Sequence, residues 1–125
     1  LGPWEGKPKS YIKEKYPKEW QIWIKTPEKL ILEGAETLES VRKRSFHALM
    51  EIINNTLYKT FAIVTHRAVL KPLISACLGI EKDYFWRIHI DTASYSIMEY
   101  DKERGFMLTL LNQTKHLKDF VIEKV

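Results

Sequence analysis

Phe61-Ala62-Ile63-Val64-Thr65-His66 is a short apolar, β-branched run that stops on a histidine, and a helix-like segment follows it. Such a run reads as a buried parallel strand. It would deliver one polar side chain to the carboxyl end of a sheet, where open α/β sheets keep their active sites. A histidine there can exchange protons near neutral pH or bind an anion. His66 is therefore the leading candidate functional residue.

The rest of the chain is read outward from this run. Leu38, Val41, Ser45, Ala48, Leu49 and Ile52 recur at helical spacing, which predicts the clearest helix over Thr37 to Asn55. A second helix is predicted over roughly 67–78, stopping at Gly79. Pro72 either kinks it or marks its true first turn, because Lys71 before it is biased away from helical backbone. Upstream, Ser10 can cap a short helix through Tyr16, and Trp20, Trp23 and Ile24 form a second short helical face. Residues 1–9 and 27–35 read as loop. From Tyr84 to Asp91 the pattern has period two. Tyr95 to Tyr100 and Phe106 to Leu111 read as strands joined by a hairpin turn at 101–105. The tail, Lys115 to Val125, has no clear pattern. The expected fold class is α/β, in one domain over 1–125, with helices packed on a mixed sheet and strand 61–65 near its middle.

A chain of 125 residues with 45% hydrophobic content and four tryptophans can build a real core. Cys77 is the single cysteine, so no intrachain disulfide is possible. With no signal-peptide pattern, the expected location is cytoplasmic. No apolar run approaches the ~20 residues of a membrane span. The 20 Lys and Arg against 16 Asp and Glu give a net charge of +4. Their interleaving reads as a solvated, salt-bridged surface, with attraction to an anionic ligand as the sharper alternative. The same interleaving argues against a nucleic-acid-binding domain. Metal-ligand spacing, a Gly-rich nucleotide loop and a Ser-centred elbow are all missing.

Several segments resemble the histidine phosphatase, or phosphoglycerate mutase-like, superfamily. Val64-Thr65-His66-Arg67-Ala68-Val69-Leu70 resembles its second histidine motif, and Gly2-Pro3-Trp4-Glu5-Gly6 its Gly-x-Trp-Glu-Gly segment. Gly34-Ala35-Glu36-Thr37-Leu38, with Arg44 downstream, resembles its Gly-Gly-Glu-Ser helix start. Asp91 to Ile97 and Leu111 to Leu117 resemble its Asn-x-Ser strand and its closing Asn-x-x-x-His-Leu. These matches fall in the family's order. The family's nucleophile sits in an N-terminal Arg-His-Gly motif, and that tripeptide is not in this chain. A second phosphate-binding arginine would also precede Leu1. The chain therefore resembles a C-terminal portion, and the implied three-layer sandwich is expected to be incomplete at its N-terminus.

The resemblance implies a phosphatase that hydrolyses a small phosphomonoester through a phosphohistidine. It gives His66 contact with the phosphoryl group and Glu5 the role of proton donor. Partial burial beside Trp4 would suit that carboxyl to general acid work. The bland alternatives are a core histidine and an exposed loop glutamate. The amides of Arg67 and Ala68, at a helix start, can face a phosphate. The Arg67 side chain and Lys71 either add charge to that pocket or are merely solvated. Glu36 and Arg44 fit capping and ion pairing, or a place just behind the phosphate. His47 reads as surface, His89 as structural in a strand, and His116 as packing. The short stretch between Gly6 and Gly34 favours the compact phosphatases. The expected substrate is a small phosphorylated metabolite, such as α-ribazole phosphate, a sugar phosphate or phosphoserine. No cofactor or metal is implied, and no nucleic-acid or membrane partner. With the nucleophile absent, this chain alone is expected to be inactive. It should pair with the missing N-terminal segment or with a second copy, because unpaired strand edges recruit other chains. The alternative from another class is a non-catalytic phospholigand-binding or interaction domain on the same scaffold.

Overall fold

Two antiparallel strands and four α-helices make up the regular structure of the computed structural model, which describes residues 1–119 and 121. Of the tail 115–125, residue 120 and residues 122–125 lie outside the described residues. The helices are α1 (Lys9–Lys15), α2 (Pro17–Lys25), α3 (Leu38–Asn55) and α4 (Arg67–Cys77). The strands are β1 (Tyr95–Asp101) and β2 (Gly105–Gln113). The α/β class expected from sequence holds.

Local chemistry sets most boundaries. Pro17 opens α2 at a position where a missing N–H costs nothing. Thr37 caps α3, its Oγ1 accepting the Ser40 amide at 3.2 Å. At the end of α4 the Ile80 amide reaches the Ser75 carbonyl at 2.8 Å, with Gly79 at φ +69°. That is a glycine-terminated helix end. Pro72 lies inside α4 without ending it, so this proline is interior rather than first-turn. In the hairpin, Asp101 Oδ1 accepts the amides of Glu103 and Arg104 at 2.9 and 3.0 Å, and Gly105 takes φ +82°.

Two apolar clusters form the core. Ile74, Tyr84, Phe85, Ile88 and Ile90 make one, with Leu38, Leu70, Met98 and Leu108 packed on it. Trp4, Ile12 and Trp20 make the other. Trp23 touches both clusters, its ring 6.3 Å from Trp4 and 5.0 Å from Phe85. Arg42 ties α3 to α4, donating from Nε to Ser75 Oγ at 3.3 Å and from a terminal nitrogen to the Ile80 carbonyl at 3.2 Å.

Two expected strands are corrected. The period-two stretch 84–91 is irregular and turned, because other groups hold its backbone. The Phe85 amide donates to Glu28 Oε1 at 2.8 Å, and the Phe85 carbonyl accepts Lys71 Nζ at 3.1 Å. The Arg87 and Ile88 amides turn back to the Tyr84 carbonyl, each at 3.0 Å. His89 therefore sits in a loop. The run 61–65 joins no ladder, and it is not buried: Val64 is 97% exposed. A strand needs a neighbour to bond its amides and carbonyls. Among the described residues none lies beside this one.

Candidate functional site

His66 is the residue immediately before α4, with extended backbone at φ −82° and ψ 152°. Its carbonyl accepts the amides of Val69 and Leu70, each at 2.9 Å, which starts the helix. Arg67 and Ala68 are the first two helical residues. First-turn amides have no acceptor within their own helix and lie at the positive end of its dipole. The side chain of His66 is exposed.

α4 carries a further cation that the sequence left open. Lys71 is buried, donates to the Phe85 carbonyl, and lies over the rings of Phe85 and Trp86 at 4.7 and 5.1 Å. Burial pulls its pKa below the usual lysine range, and the nearby Arg67 guanidinium adds to the effect. Lys71 is thus a packed residue rather than a solvated one. Arg67 also helps hold the Asp91 carboxyl below its ordinary range. The start of α4 is therefore an electropositive corner bounded by one carboxylate.

That carboxylate anchors a network that sequence reasoning missed. Asn112 Nδ2 donates to Asp91 Oδ2 at 2.8 Å, and the Asp91 amide donates to Asn112 Oδ1 at 2.7 Å. His89 Nε2 meets Asp91 Oδ1 at 3.0 Å. The hydrogen bond from Asn112 is the largest cause of the lowered Asp91 pKa. Asn112 takes φ +55°, a backbone that asparagine tolerates better than most residues. The signal in sequence was an asparagine interrupting the apolar run of β2.

Glu5 ends the 3-10 turn Gly2–Trp4. Trp4 is buried, but Glu5 is exposed, so the partial burial expected for it is not found. The Trp4 indole N–H is buried with no acceptor among the described residues. Gly2, at φ +56°, lies so close to Gly34 and Ala35 that a Cβ there would come within 2.8 Å of their backbone. The Trp-Glu-Gly segment and the start of α3 are thereby brought together. No hydrogen bond or ion pair joins Glu5 to His66.

Glu36 and Arg44 pair with each other on the flank of α3. Arg44 donates two bonds to the carboxylate, at 2.6 and 2.9 Å, and Ser40 Oγ adds a third at 3.1 Å. The Arg44 bond holds the Glu36 carboxyl below its usual range. Capping falls to Thr37 instead. Two open concavities, of about 560 and 400 Å³, are lined by Thr37, Ser40, Arg44 and their neighbours on α3, and by the hairpin residues 99–101 and 103–107. Neither is lined by Glu5 or His66. His47 is exposed beside Glu51, and His116 meets the Ala93 carbonyl and stacks near Tyr95. Burial pushes the Cys77 thiol up to about 11, which leaves it a poor nucleophile. Among the described residues no group of three or more His, Cys, Asp or Glu could hold a metal ion, and no helix is long and apolar enough to cross a membrane.

The frame is α/β, with a histidine directly before the first turn of α4. The chain belongs to the histidine phosphatase superfamily (branch 1), whose family model matches residues 1–114. It is 33% identical over 122 residues to phosphoserine phosphatase 1 of Hydrogenobacter thermophilus, covering 98% of this chain and 57% of that protein. It is 28% identical over 117 residues to bifunctional protein Rv2228c of Mycobacterium tuberculosis, covering 94% of this chain and 32% of that one. Among solved structures, Bacillus stearothermophilus YhfR superposes with a TM-score of 0.85 at 27% identity, over 93% of this chain and 57% of that one. A putative α-ribazole-5′-P phosphatase from Escherichia coli gives 0.73 at 18% identity, over 98% of this chain and 58% of its own, which speaks to the fold alone. The chain thus spans little more than half the length of the first of these relatives and of both solved structures.

Proposed function

We propose that this chain is the His66-bearing part of a phosphatase that hydrolyses a small phosphomonoester through a phosphohistidine. The observation that carries the reading is the placement of His66 directly before α4, next to the first-turn residues Arg67 and Ala68. In this reading His66 and the amides of Arg67 and Ala68 hold the phosphoryl oxygens. They stabilise charge where it accumulates in transfer. The nucleophilic histidine comes from a segment outside this chain. Its ring nitrogen bonds to phosphorus as the substrate's P–O bond breaks, and Glu5 gives its proton to the departing oxygen. Water then attacks the phosphohistidine, its proton passes to Glu5, the N–P bond breaks and inorganic phosphate leaves. Two displacements replace one harder step. Glu36 and Arg44 stiffen the start of α3 behind the Trp-Glu-Gly segment. Similarity to a phosphoserine phosphatase makes phosphoserine the first substrate to try.

The test uses O-phosphoserine as the substrate. The chain alone releases negligible phosphate. Joined in one polypeptide to the part of phosphoserine phosphatase 1 that the match does not cover, it turns over, and His66→Asn lowers kcat by about a hundredfold or more. Turnover by the chain alone defeats the claim of an external nucleophile. A folded chimera with no turnover, or a fully active His66→Asn chimera, defeats the assignment of the site.

A further inference from the structure

The net positive charge of the chain resides in one stretch. Residues 7–29 hold seven lysines against three glutamates, a net +4 that equals the charge of the whole chain, so the remainder balances. All seven lysines are exposed. Salt bridging is found on α3, where Lys43 pairs with Glu39 and Arg44 with Glu36. On α1 and α2 it is not. Among the described residues no carboxylate lies within ion-pair reach of Lys7, Lys13, Lys15, Lys18, Lys25 or Lys29. Glu28, the glutamate beside Lys29, is turned inward to the Phe85 amide at 2.8 Å. The inner side of the helical pair is fixed by Trp4, Ile12 and Trp20, which leaves the amines outside. Lys7 and Lys15 both lie over the Tyr11 ring, at 5.7 and 5.8 Å. Lys18, Ile22 and Lys25 follow one another along one side of α2. Tyr11, Ile22 and Ile24 are exposed among these amines. Like charges gathered without counter-charges repel one another and attract an anionic surface.

We propose that the outer side of the α1–α2 pair adsorbs to an anionic lipid surface. Charge complementarity sets the sign of the partner and excludes a second copy of this chain, whose matching side would be repelled. Two observations choose lipid over other polyanions. The cations are lysines alone, and the first arginine in the chain is Arg42. The planar arginine fork suits paired bonds to nucleic-acid phosphates and to buried carboxylates, whereas lysine is a hydrated point charge. Protein–protein interfaces are depleted in lysine. The exposed Tyr11, Ile22 and Ile24 suit a boundary where headgroups give way to acyl chains, and would gain nothing on a nucleic-acid backbone. A cluster of about four to eight basic residues is enough to hold a protein at such a surface. No spanning helix is needed, and among the described residues none is long and apolar enough. The family resemblance implies no membrane partner, and the adsorbing face does not depend on the catalytic reading.

Sedimentation of the chain with lipid vesicles tests this. It is expected to bind vesicles of phosphatidylglycerol and phosphatidylcholine mixed equally at about 50 mM salt, and to be released at about 0.5 M salt. Vesicles of phosphatidylcholine alone should not bind it. Lys18→Gln combined with Lys25→Gln is expected to weaken binding about tenfold or more. Lys82→Gln combined with Lys102→Gln removes the same charge elsewhere and should weaken it less than about threefold. Both double variants should melt as the parent does, because all four lysines are exposed. No binding to the mixed vesicles, equal binding to phosphatidylcholine, binding that survives the higher salt, or equal effects of the two double variants overturns the proposal. Tighter binding of a DNA duplex or of polyglutamate than of the mixed vesicles, at the lower salt, assigns the face to nucleic acid or to an acidic protein and also overturns it.

Discussion

Asp91 shows how one residue can organise a corner of the molecule. Its two carboxylate oxygens serve His89 and Asn112, and its amide is bonded in return by Asn112. The folded state therefore favours the ionised form. The stability this adds is complete above the ordinary aspartate value of 3.8 and fades as pH falls below it. Asp91→Asn keeps an acceptor for Asn112 but removes the titration. We expect this variant to melt lower than the parent at pH 7 and to lose less on acidification to about pH 3. Melting temperatures at the two pH values decide it, and equal acid-side losses in both proteins would refute the assignment. Lys71 teaches a different lesson. The sequence left it open between a pocket charge and a solvated one, yet its aliphatic stem lets it lie among Phe85, Trp86 and a carbonyl.

At the scale of elements, caps and periodicity carried the helices. The apolar spacing of α3 located that helix to within a residue, because the stripe is local in sequence, whereas the cap expected of Glu36 is made by Thr37. Thr37→Ala removes the acceptor of the Ser40 amide and is expected to cost about 1 kcal/mol in urea unfolding. Periodicity misled at 84–91, where alternation suggested a strand. The groups that hold that stretch, Trp23 and Glu28 from the N-terminal part and Lys71 from α4, are remote in sequence and leave no trace in its own pattern. At 61–65 the apolar, β-branched run suggested a buried strand, and the structure shows neither a ladder nor burial there. Burial of a strand is a property of its neighbours, and here they are not among the described residues.

Across the whole molecule, Trp23 holds the two clusters together. It packs on Trp4, Phe85 and Trp86, and its carbonyl accepts the Trp86 indole at 2.9 Å. Trp23→Ala should separate the N-terminal helices from the α3–α4 unit and cost about 3 kcal/mol. Denaturation followed by tryptophan fluorescence and by far-ultraviolet dichroism checks this, and a loss below about 1 kcal/mol would show the clusters to be independent. By itself the amino-acid order determined the helices, the hairpin and the α/β class. These depend on spacing, caps and turns within a few residues of each other. Tertiary structure alone decided that Lys71 is buried, that Asp91, His89 and Asn112 share one network, that 84–91 is not a strand, and that 61–65 stands uncovered. Each of those depends on which remote groups arrive to satisfy a charge or a backbone bond, and no local pattern encodes their arrival.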